Sequence, residues 1–280
     1  MSKNPANRIP KIIHYCWFGG SPKPTDIQAC IDSWAALSDY QIIEWNESNC
    51  SFDENDYIKK AYAEKKWAFV ADFYRLVALD KMGGIYLDTD VKVFRDFSPL
   101  LHHEVFLNFI FDCSIGSAVI GAAPGSKLIK ELLDMYYRTE FTPHTENHTI
   151  LAKDGKYFIR NYVPNNYYFT YHIIKNYPAF LLNNKYQDLG DFAIYPKELF
   201  EIGSLLNKHY TIHYCTGTWK PKKKPTRISA FIQSIAKHFP KLFHYLQIVN
   251  RKRRYQKMLK SIPFYPQYLA QKNGTSLPEL

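Results

Sequence analysis

Short apolar runs bounded by glycine, proline or charge alternate with amphipathic stretches along most of this chain, a pattern that predicts strands and helices in turn. Residues 9–18 read as a buried strand running into the turn Gly19-Gly20. Residues 25–37 then place Ile27, Ile31, Trp34 and Leu37 at helical spacing. A second strand is expected over 40–45, ending at Asn46. Residues 67–82, WAFVADFYRLVALDKM, are apolar nearly all round, which predicts a buried helix. Gly83-Gly84 stops it, and Ile85-Tyr86-Leu87 reads as a short buried strand. Further strands are expected over 105–110, 117–121, 191–196 and 210–214, with a helix opening at Pro124-Gly125-Ser126 and running to about 138. Residues 140–190 are rich in Tyr, Asn and His without clear periodicity and read as loops and short helices beside the substrate. Beyond Pro225, residues 228–239 form an amphipathic pattern, and a second helix after Pro240 ends in Arg251-Lys252-Arg253-Arg254.

At 280 residues the chain is long enough for a full core plus appendages. No run of eighteen apolar residues predicts a membrane span, and the first residues lack the apolar stretch of a signal peptide. The five cysteines are scattered without metal or redox spacing, which suits reduced thiols and a cytoplasmic protein. The net charge of +10 hides an asymmetry: residues 1–201 carry a net −4, whereas residues 202–278 hold 15 Lys and Arg and no acidic residue. We therefore expect a main domain over 1–220 and a basic helical extension over 221–280. The extension suits an anionic membrane leaflet better than nucleic acid, for which no motif is present.

Asp88 and Asp90 follow the strand 85–87, at the edge where open α/β sheets bind ligands. In an extended chain residues i and i+2 point the same way, so both carboxylates would face one point. Paired carboxylates repel unless a cation or proton joins them, and oxygen ligands favour Mg²⁺ or Mn²⁺. A solvated turn is the plain alternative. Asp72 and Arg75 lie at i, i+3 on the buried helix, where charge is costly without partners. They read either as an ion pair within the helix or as a grip on sugar hydroxyls. Gly19-Gly20 lacks the spacing of a dinucleotide-binding loop.

The segment Ala71-Asp72-x-x-Arg75, then Gly83-Gly84-Ile85-Tyr86-Leu87-Asp88-Thr89-Asp90, resembles the signature of the DxD sugar transferases. That family includes the yeast-type initiating α-mannosyltransferases, many capsule and lipopolysaccharide glycosyltransferases and, distantly, the glucosylating clostridial toxins. Two further stretches are similar to it: Ile9-Pro10-Lys11-Ile12-Ile13-His14 leading to Trp17, and His213 followed by Gly217-Thr218-Trp219. The resemblance implies a GT-A type α/β fold with a central, mostly parallel sheet flanked by helices. It implies Trp17 stacked on the donor base, Asn46 at the base or ribose, and Asp72 and Arg75 on the sugar. Asp88 and Asp90 would hold Mn²⁺ or Mg²⁺ with His213 as third ligand, against a buried structural histidine as the plain reading. Tyr86 would touch the donor, and Thr218 and Trp219 would close over the diphosphate. Transfer of a hexose from a nucleotide diphosphate sugar to a saccharide or lipid-linked acceptor, with retention, is the implied activity. Surface polysaccharide synthesis by a cytoplasmic enzyme, peripheral on the inner membrane face, is the implied setting. A non-catalytic module binding carbohydrate or nucleic acid is the rival reading. His14, His144, His148 and His172 read as structural.

Overall fold

The structure, a computed structural model, describes residues 6–143, 149–204, 208–215 and 240–280. The first strand, β1, is Ile12–Cys16; helix α1, Thr25–Asp32, leads to β2, Gln41–Trp45. Helix α2, Asp56–Ala63, precedes α3, Trp67–Met82, which runs into β3, Gly84–Leu87, and β4, Val91–Val93. Strands β5 (Val105–Phe111), β6 (Ser114–Ile115) and β7 (Val119–Ala122) come before α4, Lys127–Tyr137. A small separate sheet of β8 (Thr139–Phe141), β9 (Leu151–Lys153) and β10 (Lys156–Ile159) is followed by α5, Asn165–Asn176. Then come β11 (Gln187–Asp188), β12 (Ala193–Tyr195), the short α6 (Lys197–Phe200) and β13 (Thr211–His213). Helices α7 (Pro240–Met258) and α8 (Tyr265–Asn273) end the chain.

The central sheet has the order β11-β12-β5-β7-β3-β1-β2, with β6 paired to β5. On that path only β7 and β11 oppose the rest, so the sheet is largely parallel, and the α/β class expected is the class observed. Helices cover both faces. Side-chain alternation along β3 sends Ile85 and Leu87 into one core with Trp34 and Phe97, and Tyr86 into the other with α3 and α4. Asp88 continues the parity of Tyr86 and so emerges on the α3 side.

Three expectations need correction. Residues 25–37 form α1 and then a separate 3₁₀ turn, Ser33–Ala36, whose Trp34 indole donates to the Val91 carbonyl at 2.9 Å. Residues 140–190 contain a full helix, α5, whose buried face includes Tyr168, Phe169, Tyr171 and Ile173; apolar positions on nearly every side erase the helical period. The last basic helix runs past Arg254 to Met258. The helix expected over 228–239, the lysine run before it, and Thr218, Trp219, His144 and His148 lie outside the described residues. The described part of the basic tail packs on the body: Phe264 enters the main core and Tyr255 meets Phe111 at 4.9 Å. Among the described residues no helix is long and apolar enough to cross a membrane.

The junction between α3 and β3 is held by backbone and one histidine. Gly83 and Gly84 both adopt positive φ, +63° and +103°. A Cβ on Gly84 would sit 2.6 Å from the Ile12 carbonyl oxygen of the neighbouring strand, so only glycine fits. His14, fully buried, bonds the Gly83 carbonyl through Nε2 at 2.8 Å and accepts from the Trp45 indole at Nδ1, 3.1 Å. Burial pushes its pKa below the ordinary 6.5, so the ring stays neutral with its proton on Nε2. This is the structural histidine expected. Gly84→Ala should therefore destabilise the fold by about 2–4 kcal/mol through combined backbone strain and clash. Urea unfolding would measure it, and a change below about 0.5 kcal/mol would contradict the close approach of β3 to β1.

Candidate active site

The two aspartates reach one point by a route the sequence did not disclose. Residues 88–90 are a turn, in which the Val91 amide donates to the Asp88 carbonyl at 3.0 Å, and not an extended segment. The turn ends β3 and starts β4. Strand β4 pairs antiparallel with β13, aligning Val91 with His213 and bonding the Tyr214 amide to the Asp90 carbonyl at 3.0 Å. That two-stranded ribbon brings His213 to the carboxylates. The His213 Nε2 lies 3.2 Å from Asp90 Oδ1. One ligand atom from each of Asp88, Asp90 and His213 falls within 4.8 Å of the others.

On the α3 side, Arg75 joins three groups. Its guanidinium lies 2.8 Å from Asp72 Oδ1 and 3.2 Å from Asp88 Oδ1, and donates to the Ser117 carbonyl at 2.7 Å. The intrahelical ion pair is thus present, and it reaches on to the dyad. The other Asp72 oxygen accepts from the Asn165 amide at 3.1 Å, while the Asn165 side chain donates to the Asp72 carbonyl. The partners that buried charge requires are supplied by the protein itself. Burial pushes the Asp72 carboxyl up to about 6, with the charge of Asp88 adding to it and Arg75 opposing. Burial likewise raises Asp88, Arg75 and His213 pull it down, and Asp90 raises it again. With its side chain 26% exposed, Asp88 is the carboxylate of the group most open to an incoming ligand.

Tyr86, expected to touch the donor, is fully buried. Its hydroxyl donates to Asp88 Oδ1 at 3.1 Å and its ring lies under the Arg75 guanidinium at 4.5 Å, so its contacts are with the site's own side chains. Trp17 follows β1, half-buried, with its indole N–H bonded to the Ser21 carbonyl at 2.6 Å. Asn46 follows β2 and caps a turn: its side-chain oxygen accepts from the Ser48 amide and hydroxyl. Since β2, β1 and β3 are parallel neighbours, Trp17, Asn46 and Asp88 lie along one edge of the sheet.

Glu201 is a residue the sequence reading missed. Fully buried just after α6, it accepts from Asn108 at 3.1 Å through Oε1 and meets His213 Nδ1 at 2.8 Å through Oε2. A carboxylate on Nδ1 sets the tautomer and turns the Nε2 lone pair outward, the arrangement typical of a metal-binding histidine. Without a cation, burial lowers the His213 pKa, yet Cys215, Glu201 and Asp90 together hold it well above its ordinary value. Two carboxylates and an oriented imidazole fit a divalent cation by donor type and spacing. From α7, Arg251 donates to the His213 carbonyl at 3.1 Å and stacks on Tyr214 at 4.6 Å, adding a cation beside the cluster. A cavity of about 440 Å³ elsewhere, lined by Asp112, Asn183, Lys197, Tyr268 and Gln271, shares none of these residues.

The geometry can now be set beside known proteins. Residues 24–107, which include Asp72, Arg75, Tyr86, Asp88 and Asp90, match the family described as glycosyltransferase sugar-binding region containing DXD motif. Inositol phosphoceramide mannosyltransferase 3 of Schizosaccharomyces pombe is 30% identical over 168 residues, covering 56% of this chain and 45% of that protein. The chain thus matches less than half the length of that relative. Among solved structures, the PaToxG glycosyltransferase is 19% identical with a TM-score of 0.44, covering 61% of this chain and 70% of its own. A glycosyltransferase involved in glycosylation of the major capsid of PBCV-1 is 8% identical, TM-score 0.35, over 74% and 95% of the two chains.

Removing the shared cation should expose the cost of the arrangement. Arg75→Met leaves Asp72 and Asp88 without their common partner, and the loss expected for a broken buried pair is about 3–5 kcal/mol. Chemical denaturation is the direct measurement, and a loss under about 1 kcal/mol would show that Arg75 does not hold the two carboxylates together.

Proposed function

We propose that this chain is a glycosyltransferase that moves a hexose from a nucleotide diphosphate sugar to a hydroxyl of a saccharide or lipid-linked acceptor. The observation that carries the reading is the meeting of Asp88, Asp90 and His213 beside the Asp72–Arg75 pair, within the segment that matches the sugar-binding region. The setting we favour is surface polysaccharide synthesis, and the name of the yeast relative makes mannose the first hexose to test.

Asp88, Asp90 and His213 would hold Mn²⁺ or Mg²⁺, which when bound supplies a Lewis acid for the negative charge gathering on the departing diphosphate. With a cation bound, Glu201 would keep the remaining His213 proton on Nδ1 and leave Nε2 a lone pair toward the carboxylates. Tyr86 and Arg75 fix Asp88 by a hydrogen bond and an ion pair, and groups held before the reaction need little reorganisation during it. Through their small exposed faces Asp72 and Arg75 meet sugar hydroxyls. Trp17 offers its ring to the base and Asn46 a polar contact to base or ribose. The resemblance would have Thr218 and Trp219 close over the diphosphate. Transfer proceeds with retention, and a donor phosphate oxygen on the same face takes the proton of the acceptor hydroxyl.

A basic extension over 221–280 would bring the enzyme to an anionic membrane leaflet from the cytoplasmic side. Support comes from α7, where Arg253, Arg254 and Lys257 are exposed while Ile248 and Tyr255 face inward. A binding module without catalysis would have no need of a histidine tautomer set by a buried carboxylate.

Release of nucleoside diphosphate from a panel of nucleotide sugars, with Mn²⁺, with Mg²⁺ and with chelator, tests the reading directly. Asp90→Asn should lower metal-dependent release by about two orders of magnitude or more, the usual effect of losing a preorganised electrostatic group. Release that is indifferent to chelator, or unchanged in Asp90→Asn, would refute it. Trp17→Ala should raise the KM for the donor about tenfold with a smaller change in kcat, as the loss of one base-stacking contact predicts. An unaltered KM would remove Trp17 from the base site.

A further inference from the structure

The imidazole of His213 belongs to two clusters, one at each ring nitrogen. Nε2 faces Asp90, whereas Nδ1 lies 2.8 Å from Glu201 Oε2 and 3.5 Å from Cys215 Sγ. Ligand atoms of Glu201, His213 and Cys215 all fall within 4.8 Å of one another. We propose that these three side chains form a second cation site, selective for thiophilic divalent ions such as Zn²⁺. It stands back to back with the Asp88–Asp90 cluster across the same imidazole.

Distances and donor chemistry agree. Ligands about 2.1 Å (N) and 2.3 Å (S) from a tetrahedral zinc ion lie roughly 3.6 Å apart. The separation of Cys215 Sγ and His213 Nδ1 is 3.5 Å. For nitrogen and oxygen ligands the same geometry asks for roughly 3.4 Å, so Glu201 and His213 must part by roughly half an ångström from their hydrogen-bonded distance. Of the three, Cys215 is exposed and Glu201 is fully buried, so solvent reaches the cluster at the thiol. The Tyr255 hydroxyl, 3.5 Å from Cys215 Sγ, borders the remaining coordination position, which water can fill. Carboxylate, imidazole and thiolate together suit Zn²⁺, while the oxygen-rich cluster on the Nε2 side suits Mg²⁺ or Mn²⁺.

Binding releases the thiol proton and the Nδ1 proton to solvent, and the ring's other proton then resides on Nε2. His213 would then present an N–H donor to Asp90 in place of a lone pair. The two sites therefore exclude one another through a single tautomer. Binding of the thiophilic ion does not depend on the sugar-transfer reading; its consequence, inhibition of transfer, does.

Cobalt is a suitable probe, because a Co²⁺–thiolate bond gives a charge-transfer band in the near ultraviolet. The reduced, chelator-treated full chain should develop that band on titration with Co²⁺ and lose it on addition of Zn²⁺. Asp88→Asn should keep the band. Cys215→Ser, confirmed folded by circular dichroism, should lack it and bind Zn²⁺ at least about tenfold more weakly, as expected for an altered ligand set. Zn²⁺ should also slow reaction of the exposed Cys215 with a thiol reagent. Absence of the band in the wild-type chain, an equal band in Cys215→Ser, or thiol reactivity indifferent to Zn²⁺ would overturn the site. Where transfer is detected, Zn²⁺ should inhibit the wild type at concentrations that leave Cys215→Ser active, and equal inhibition would overturn the exclusion. The spectroscopic and thiol readings stand whether or not transfer is found, so the two proposals fail separately.

Discussion

Everything at this site depends on how unlike charges offset one another in a place that water barely reaches. Asp72, Asp88, Asp90 and Glu201 bring four carboxyl groups together, and among the described residues Arg75 and His213 form ion pairs with them. Charges a few ångströms apart interact far more strongly under partial burial than in water, so the arrangement holds only while each carboxylate has a partner. Arg75 serves two of them and His213 the other two. The balance is incomplete at Asp88, whose carboxyl is raised and whose side chain remains open. Incomplete compensation at an open carboxylate is what an incoming cation can complete.

The fold is arranged to make those contacts from distant parts of the chain. Parity along β3 sends Tyr86 and then Asp88 toward α3, where Arg75 waits on a helix that ends at two glycines. Trp34 and Ser33 fasten β4 from the other side, through the Val91 carbonyl and the Val93 amide. That fastening fixes the register of β4 against β13, and the register places His213 at Asp90. Asn165, at the start of α5, closes over Asp72 from a segment 93 residues away. A shift of one residue in the β4–β13 pairing would turn His213 to the opposite face, so the meeting of His213 with the two aspartates depends on register as much as on residue type.

Much of the frame was legible in the sequence. Residues 67–82 are the helix expected to the residue, because an all-round apolar run stopped by Gly83-Gly84 admits few alternatives. The position of Asp88 and Asp90 at a sheet edge was legible too, though for a partly mistaken reason. Alternation suggested that they point the same way, whereas a turn makes them converge. His213 came from resemblance alone, since a histidine has no local pattern that marks a ligand. Glu201 and Asn165 were invisible for a deeper reason: each owes its role to a partner brought close only by tertiary pairing. Helix α5 was missed because burial on most sides removes the polar face that periodicity needs.

The imidazole shows most clearly how the site's parts act on one another. Burial lowers the His213 pKa, but Cys215, Glu201 and Asp90 beside it hold it well above its ordinary value, which favours a proton on the ring. A cation held beside Nε2 would displace that proton, which would link binding to proton release. Glu201 then decides which ring nitrogen gives up its hydrogen, because the carboxylate at 2.8 Å holds the Nδ1 proton in place. A thiophilic ion held at Nδ1 with Cys215, as proposed, would instead leave the ring's remaining proton on Nε2. One buried glutamate, distant in sequence from Asp88 and Asp90, thus bears on which nitrogen of His213 carries a proton.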